Sequence, residues 1–80
     1  MFKVYTTNTC AYCTMVKKLF TMKEVQYQEV NIENDIESQK RAIALSGGTS
    51  VPVVTKIENG EEKYICRGWN PSLLMQAIQI

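Results

Sequence analysis

The stretch Phe2-Lys3-Val4-Tyr5-Thr6-Thr7-Asn8-Thr9-Cys10-Ala11-Tyr12-Cys13 joins two periodicities. Phe2 to Thr6 alternates apolar and polar residues and is rich in β-formers, which predicts a strand. From Ala11 to about Lys23 the apolar residues Met15, Val16, Leu19 and Phe20 recur at helical spacing, with Lys17 and Lys18 turned away as a solvated face. Cys10 and Cys13 therefore stand where a strand's loop becomes a helix. The first backbone N–H groups of a helix lack intrahelical partners, so a sulfur placed there is stabilised as a thiolate, with its pKa below the free value of about 8.5. Cys13 lies one turn further in on the same side and can close a disulfide after Cys10 has formed a mixed one. Position divides the labour: Cys10 attacks a substrate disulfide and Cys13 resolves the intermediate.

Beyond the helix, alternation returns at Val25 to Ile32 and predicts a second strand. Asn34 or Asp35 can cap the next helix, with Glu37 in its first turn, Lys40 and Arg41 nearer its end, and Ile36, Ala42, Ile43 and Leu45 as a narrow apolar stripe. Gly47-Gly48 ends it, because glycine accepts the left-handed conformation of a C-terminal stop. Val51-Pro52-Val53-Val54-Thr55-Lys56-Ile57 is a β-branched run, Asn59-Gly60 a strong hairpin turn and Glu62 to Arg67 the return strand. Asn70-Pro71 supplies an N-cap with proline at the first helical position, leading into Ser72 to Ile78 with Leu73, Leu74, Ala77 and Ile78 on one side. The order βαβαββα predicts an α/β domain with a four-stranded mixed sheet flanked by three helices, the first two strands being parallel neighbours.

Composition narrows the chemistry. Eighty residues, 45% of them hydrophobic, suit one compact domain spanning 1–80. Without histidine there is no Ser-His-Asp or Cys-His catalysis and no His-ligated zinc, and three cysteines cannot fill a four-thiolate metal site within one chain. A net charge of +1 with no long basic run speaks against nucleic acid or an anionic membrane as partner. No run approaches the roughly 18 apolar residues of a membrane span, and Met1 to Tyr5 lacks the features of a secretory signal. Cysteines kept as reactive thiols suit a reducing compartment, so a cytoplasmic location is expected. Cys66 reads as a small buried hydrophobe.

Three segments together resemble the glutaredoxin branch of the thioredoxin superfamily: Thr6 to Cys13 after a strand, Ser50-Val51-Pro52 before the third strand, and Gly68-Trp69-Asn70-Pro71 before the last helix. The resemblance covers essentially the whole chain. The last segment is most similar to the glycine–aromatic–x–proline pattern of NrdH-type redoxins, which supply electrons to ribonucleotide reductase and are reduced by thioredoxin reductase. Mycoredoxin-like proteins are similar around Asn34 and Gly47-Gly48. The resemblance implies a thioredoxin-like fold and a monomeric dithiol–disulfide oxidoreductase with no cofactor beyond the redox-active Cys10–Cys13 disulfide and no metal. It implies that Pro52 forms a cis peptide bond, so that the Val51 backbone can pair with an extended substrate, although the sequence alone leaves a trans proline open. Thr7, Tyr12, Ser50, Val51, Pro52, Gly68, Trp69 and Asn70 are the implied substrate-binding residues. Tyr12 reads either as a partner contact or as an exposed aromatic, and Trp69 either as a structural plug or as a substrate contact.

Departures from the family pattern bear on the reductant. Glutathione-using members carry a basic residue at the position of Thr7 and Gly-Gly-x-Asp where this chain has Arg67-Gly68-Trp69-Asn70. Losing the cation and the acid together weakens a charged clamp on glutathione. Asn70 can still exchange a hydrogen bond and Arg67 can supply a charge, so a glutathione- or mycothiol-dependent glutaredoxin is the alternative enzyme reading. An iron–sulfur cluster bridged between two chains is the alternative of another class.

Overall fold

A computed structural model describes residues 1–78. The elements are β1 (Phe2–Thr6), α1 (Ala11–Met22), β2 (Tyr27–Asn31), α2 (Ile36–Ser46), β3 (Val53–Glu58), β4 (Glu61–Arg67) and α3 (Pro71–Ile78). The strands form one mixed sheet in the order β2-β1-β3-β4. β1 runs parallel to β2, from Phe2 opposite Tyr27 to Thr6 opposite Asn31, as a strand–helix–strand crossover requires. β3 lies antiparallel to both β1 and β4. The β3–β4 turn uses Asn59 (φ 54°) and Gly60 (φ 80°), both left-handed, which matches the twist of a two-residue hairpin.

Strand alternation sorts the core into two layers. Phe2, Val4, Val54 and Cys66 meet Val16 and Phe20 of α1 and Leu74 and Ala77 of α3 on one face. Tyr5, Ile32 and Val53 meet Ala42 of α2 on the other. Phe20 stacks at 5.0 Å from the Phe2 ring and 5.5 Å from Tyr27, so α1 is anchored across β1 and β2. That fixes the line along which the α1 N-terminus meets the end of β1.

Several boundaries differ from the sequence expectation. β2 begins at Tyr27 and ends at Asn31, leaving Val25 and Ile32 outside the ladder although both pack against the core. β3 starts at Val53, since Pro52 has no N–H to give a ladder. Lys40 and Arg41 lie in the middle of α2 and not near its end, and Ile36 and Ile43 are exposed, leaving Ala42 as its fully buried residue. Leu73 and Met15 also face solvent. Asp35, not Asn34, caps α2 by accepting from the Ser38 N–H at 3.3 Å, and Gly47 (φ 75°) closes the helix. No helix of the described residues is long and apolar enough to cross a membrane.

Burial pushes the Cys66 thiol up to about 11. Above about pH 9 an unfolded chain ionises this thiol while the folded one keeps its proton, so the unfolded state binds fewer protons and stability declines toward pH 11. In oxidised protein, where Cys66 is the remaining thiol, Cys66→Val should lessen that decline by about 2 kcal/mol relative to wild type. Urea midpoints measured at pH steps across this window check it; parallel wild-type and variant curves would contradict it.

Candidate active site

Cys10 is the N-cap of α1, with extended backbone (φ −142°, ψ 106°) and its sulfur accepting the Cys13 N–H at 3.2 Å. A serine or aspartate oxygen commonly does this job; here a sulfur does, so the same amide that caps the helix stabilises negative charge on Cys10. No acidic residue occupies the first turn of α1 to compete with that charge. Cys10 is half-buried and Cys13 is buried, and the two are joined as a disulfide with a Cα–Cα distance of 5.2 Å. Burial asymmetry gives the outer sulfur to a partner and keeps the inner one away from it.

The second segment closes on the first. The Val51–Pro52 bond is cis, and the Val51 carbonyl oxygen lies 3.8 Å from Cys10 Sγ. The third segment is tied to the second, since the Gly68 N–H donates to the Pro52 carbonyl at 2.8 Å. Gly68 makes this contact in the left-handed region (φ 78°), where a Cβ would be strained. Thr7, Ser50 and Val51 line one end of a groove of about 260 Å³ that runs from the Cys10 side toward α2. Its apolar lining comes from Ile32, Ala42 and Ile43, and Glu33 is its charged lining residue.

The remaining expected residues are placed differently. Tyr12, between the two cysteines in α1, is exposed at 54%. Trp69 is partly buried and packs against the core layer shared by α1 and α3. Asn70 uses its side-chain oxygen to cap α3, accepting from the Leu73 N–H at 3.3 Å. Arg67 sends its guanidinium over Gly48, where a Cβ would collide with it, and donates to the Ser46 carbonyl at 3.5 Å.

Sequence reasoning passed over Asn8, Asn31, Glu33 and Gln39, which tie the loop before Cys10 to the β2–α2 connection. One signal was available: asparagine is depleted in strands, so Asn31 at a strand end called for a side-chain role. Thr6, buried at the end of β1, donates to Glu29 at 2.8 Å. That bond and the Lys17 ammonium hold the Glu29 carboxyl below the usual range.

Residues 2–61 match the family model described as glutaredoxin. The chain is 34% identical over 74 residues to the glutaredoxin-like protein NrdH of Lactococcus lactis subsp. cremoris, covering 92% of this chain and 94% of that one. Among solved structures, glutaredoxin (grx-1) from Archaeoglobus fulgidus superposes with a TM-score of 0.80 at 21% identity, covering 99% of this chain and 86% of that one. NrdH-redoxin from Escherichia coli superposes with a TM-score of 0.74, also at 21% identity, covering 94% and 91%. At those identities the structural matches bear on the fold, which is thioredoxin-like.

Proposed function

Because the chain belongs to the glutaredoxin family of thiol–disulfide oxidoreductases, we propose that it reduces protein disulfides in the manner of an NrdH-type redoxin, with ribonucleotide reductase as the kind of target and thioredoxin reductase as its reductant. The Cys10 thiolate attacks one sulfur of the substrate disulfide, the substrate S–S bond breaks, and the other substrate sulfur leaves as a thiolate. The hydrogen bonds of the described residues bring no carboxylate to either cysteine. The leaving thiolate, released beside Cys13, takes the Cys13 proton. Cys13 then attacks Cys10, the mixed disulfide breaks, and the substrate departs as a dithiol with two electrons. The Cys10–Cys13 disulfide is returned to the dithiol by two electrons from the reductase.

One observation carries the choice of reductant. Glutathione is an anionic thiol, and this chain has Thr7 where a glutathione user offers a cation, in a groove whose lining also includes Glu33. A like charge in the lining weakens capture of an anionic ligand, and the cation set against it is the Arg67 guanidinium over Gly48, away from the Thr7 position. The NrdH-redoxin of Escherichia coli is described as having a thioredoxin-like activity profile, and the arrangement here supports the same profile. The test compares turnover of oxidised protein by NADPH with thioredoxin reductase against NADPH with glutathione and glutathione reductase. At least about tenfold faster turnover by thioredoxin reductase is expected. Equal or faster turnover by the glutathione system would reverse the assignment.

A further inference from the structure

Taking the thiol–disulfide chemistry of Cys10 as given, we infer that Asn8, Asn31 and Glu33 form a positioning device that holds the attacking sulfur on the α1 N-terminus. The parallel ladder of β1 and β2 ends with Thr6 opposite Asn31, and the Ile32 N–H donates to the Thr6 carbonyl at 2.8 Å. Backbone pairing between these strands stops there, short of Cys10. A closed ring of hydrogen bonds continues the connection. The Asn8 backbone N–H donates to one Glu33 carboxylate oxygen and the Asn8 Nδ2 to the other, each at 2.9 Å. Asn31 Nδ2 donates to Asn8 Oδ1 at 2.7 Å, and the Glu33 backbone N–H donates to Asn31 Oδ1 at 3.0 Å.

The ring is anchored on its far side. Gln39 of α2 donates through Nε2 to the Ile32 carbonyl at 2.6 Å and to the Glu33 carbonyl at 3.1 Å. Asp35 caps the same helix through both the N–H and the hydroxyl of Ser38. The loop from Thr7 to Thr9 is thereby fastened to a helix start.

This matters for chemistry because the field of a helix terminus falls off within its first turn, so the Cys10 sulfur is activated only while it stays on the Cys13 N–H. A displacement of about 1 Å is enough to cost up to about a hundredfold in a reaction that depends on alignment. The charged groups on the elements around the loop include Glu33 and the N-cap Asp35 in the β2–α2 connection, Glu37 in the first turn of α2, Lys17 and Lys18 on α1, and Glu29 on β2, with Lys17 and Glu29 paired at 3.0 Å. Charge and position give opposite signs for Glu33. By charge alone, removing an anion from the loop's partner would favour the Cys10 thiolate. Removal of Glu33 as an anchor frees the loop, takes the sulfur off the amide and raises the Cys10 pKa.

The experiment uses reduced full-length chain with Asn8→Ala, Asn31→Ala and Glu33→Ala. Two readouts report the sulfur itself: titration of thiolate ultraviolet absorbance, and the rate of alkylation by iodoacetamide, in which the Cys10 thiolate forms an S–C bond and expels iodide. Each variant is expected to raise the Cys10 pKa and slow alkylation at neutral pH by about tenfold. The double variant Asn8→Ala/Glu33→Ala is expected to be no slower than its slower parent, because both break one ring. A fall in the Cys10 pKa on Glu33→Ala would overturn the inference, and so would additive losses in the double variant. Variants that lower only the unfolding temperature, with thiol pKa and alkylation unchanged, would reduce the ring to a structural brace and overturn it as well.

Discussion

Replacing Cys10 by serine is expected to abolish disulfide reduction, to a rate about a thousandfold or more below wild type, while Cys13→Ser keeps the first chemical step and loses the second. The difference follows from geometry. Cys10 is half-buried at the helix cap and accepts the Cys13 N–H, whereas Cys13 is buried behind it. A serine hydroxyl at Cys10 would keep the cap, since its oxygen accepts the same amide, so the variant should fold normally and lose only the nucleophile. In Cys13→Ser the Cys10 thiolate still attacks, but nothing expels the substrate, so a mixed disulfide should accumulate stoichiometrically. Mass spectrometry of each variant after exposure to a disulfide-bonded protein distinguishes the two. A Cys10→Ser chain that still forms mixed disulfides through Cys13, or that turns over at the wild-type rate, would reverse the assignment of attacker and resolver.

Much of this site was legible because its parts are local. The cysteine spacing, the strand-to-helix change of period between Thr6 and Ala11, the Asn59-Gly60 turn, the Gly47 stop and the Asn70-Pro71 start are each set within a few residues, and each is found where patterning predicts it. What was not legible depends on residues far apart in the chain. Of the apolar stripe expected on α2, Ala42 is buried and Leu45 packs against the core, but Ile36 and Ile43 are exposed, and polar ties help hold the helix. Gln39 reaches carbonyls at Ile32 and Glu33, and Arg41 reaches Glu62. Periodicity reports burial of apolar area; it carries no trace of a hydrogen bond between β4 and the middle of a helix. Arg41 shows the difference most plainly, since a basic residue read as complementing a helix end serves instead as a bridge from α2 to Glu62 on β4. The ring of Asn8, Asn31 and Glu33 is of the same kind, joining the loop before Cys10 to a segment beyond the first crossover.

The largest expected effect on stability comes from Glu62. Its carboxylate receives the Tyr5 hydroxyl at 2.6 Å and the Thr55 hydroxyl at 2.7 Å on one oxygen, and Arg41 Nε and Nη2 at 3.2 and 3.1 Å on the other. Tyr5 and Thr55 are buried in β1 and β3, so this one side chain on β4 fastens two other strands and α2. Burial pushes the Glu62 carboxyl up, but the donors Thr55, Tyr5 and Arg41 outweigh it and hold it below the usual range. Burial, with Glu62 beside it, raises the pKa of Tyr5, which stays a neutral donor. Glu62→Ala would leave two buried hydroxyls without an acceptor, each costing about 1–3 kcal/mol, whereas the Arg41 bond is half in solvent and adds little. A loss of about 3 kcal/mol is expected, or about 15 °C in unfolding midpoint for a domain of this size. Glu62→Gln, which keeps an acceptor and the shape, should lose about 1 kcal/mol. Because the folded pKa lies below the unfolded one, the contribution is present above the ordinary carboxylate pKa and fades as pH falls through the depressed folded value. Wild type and Glu62→Gln should therefore converge in acid, and Tyr5→Phe combined with Glu62→Ala should cost less than the two losses added. Thermal unfolding at neutral and acid pH measures all of this, and a Glu62→Ala midpoint within a degree or two of wild type would show that β1, β3 and α2 are held together without it.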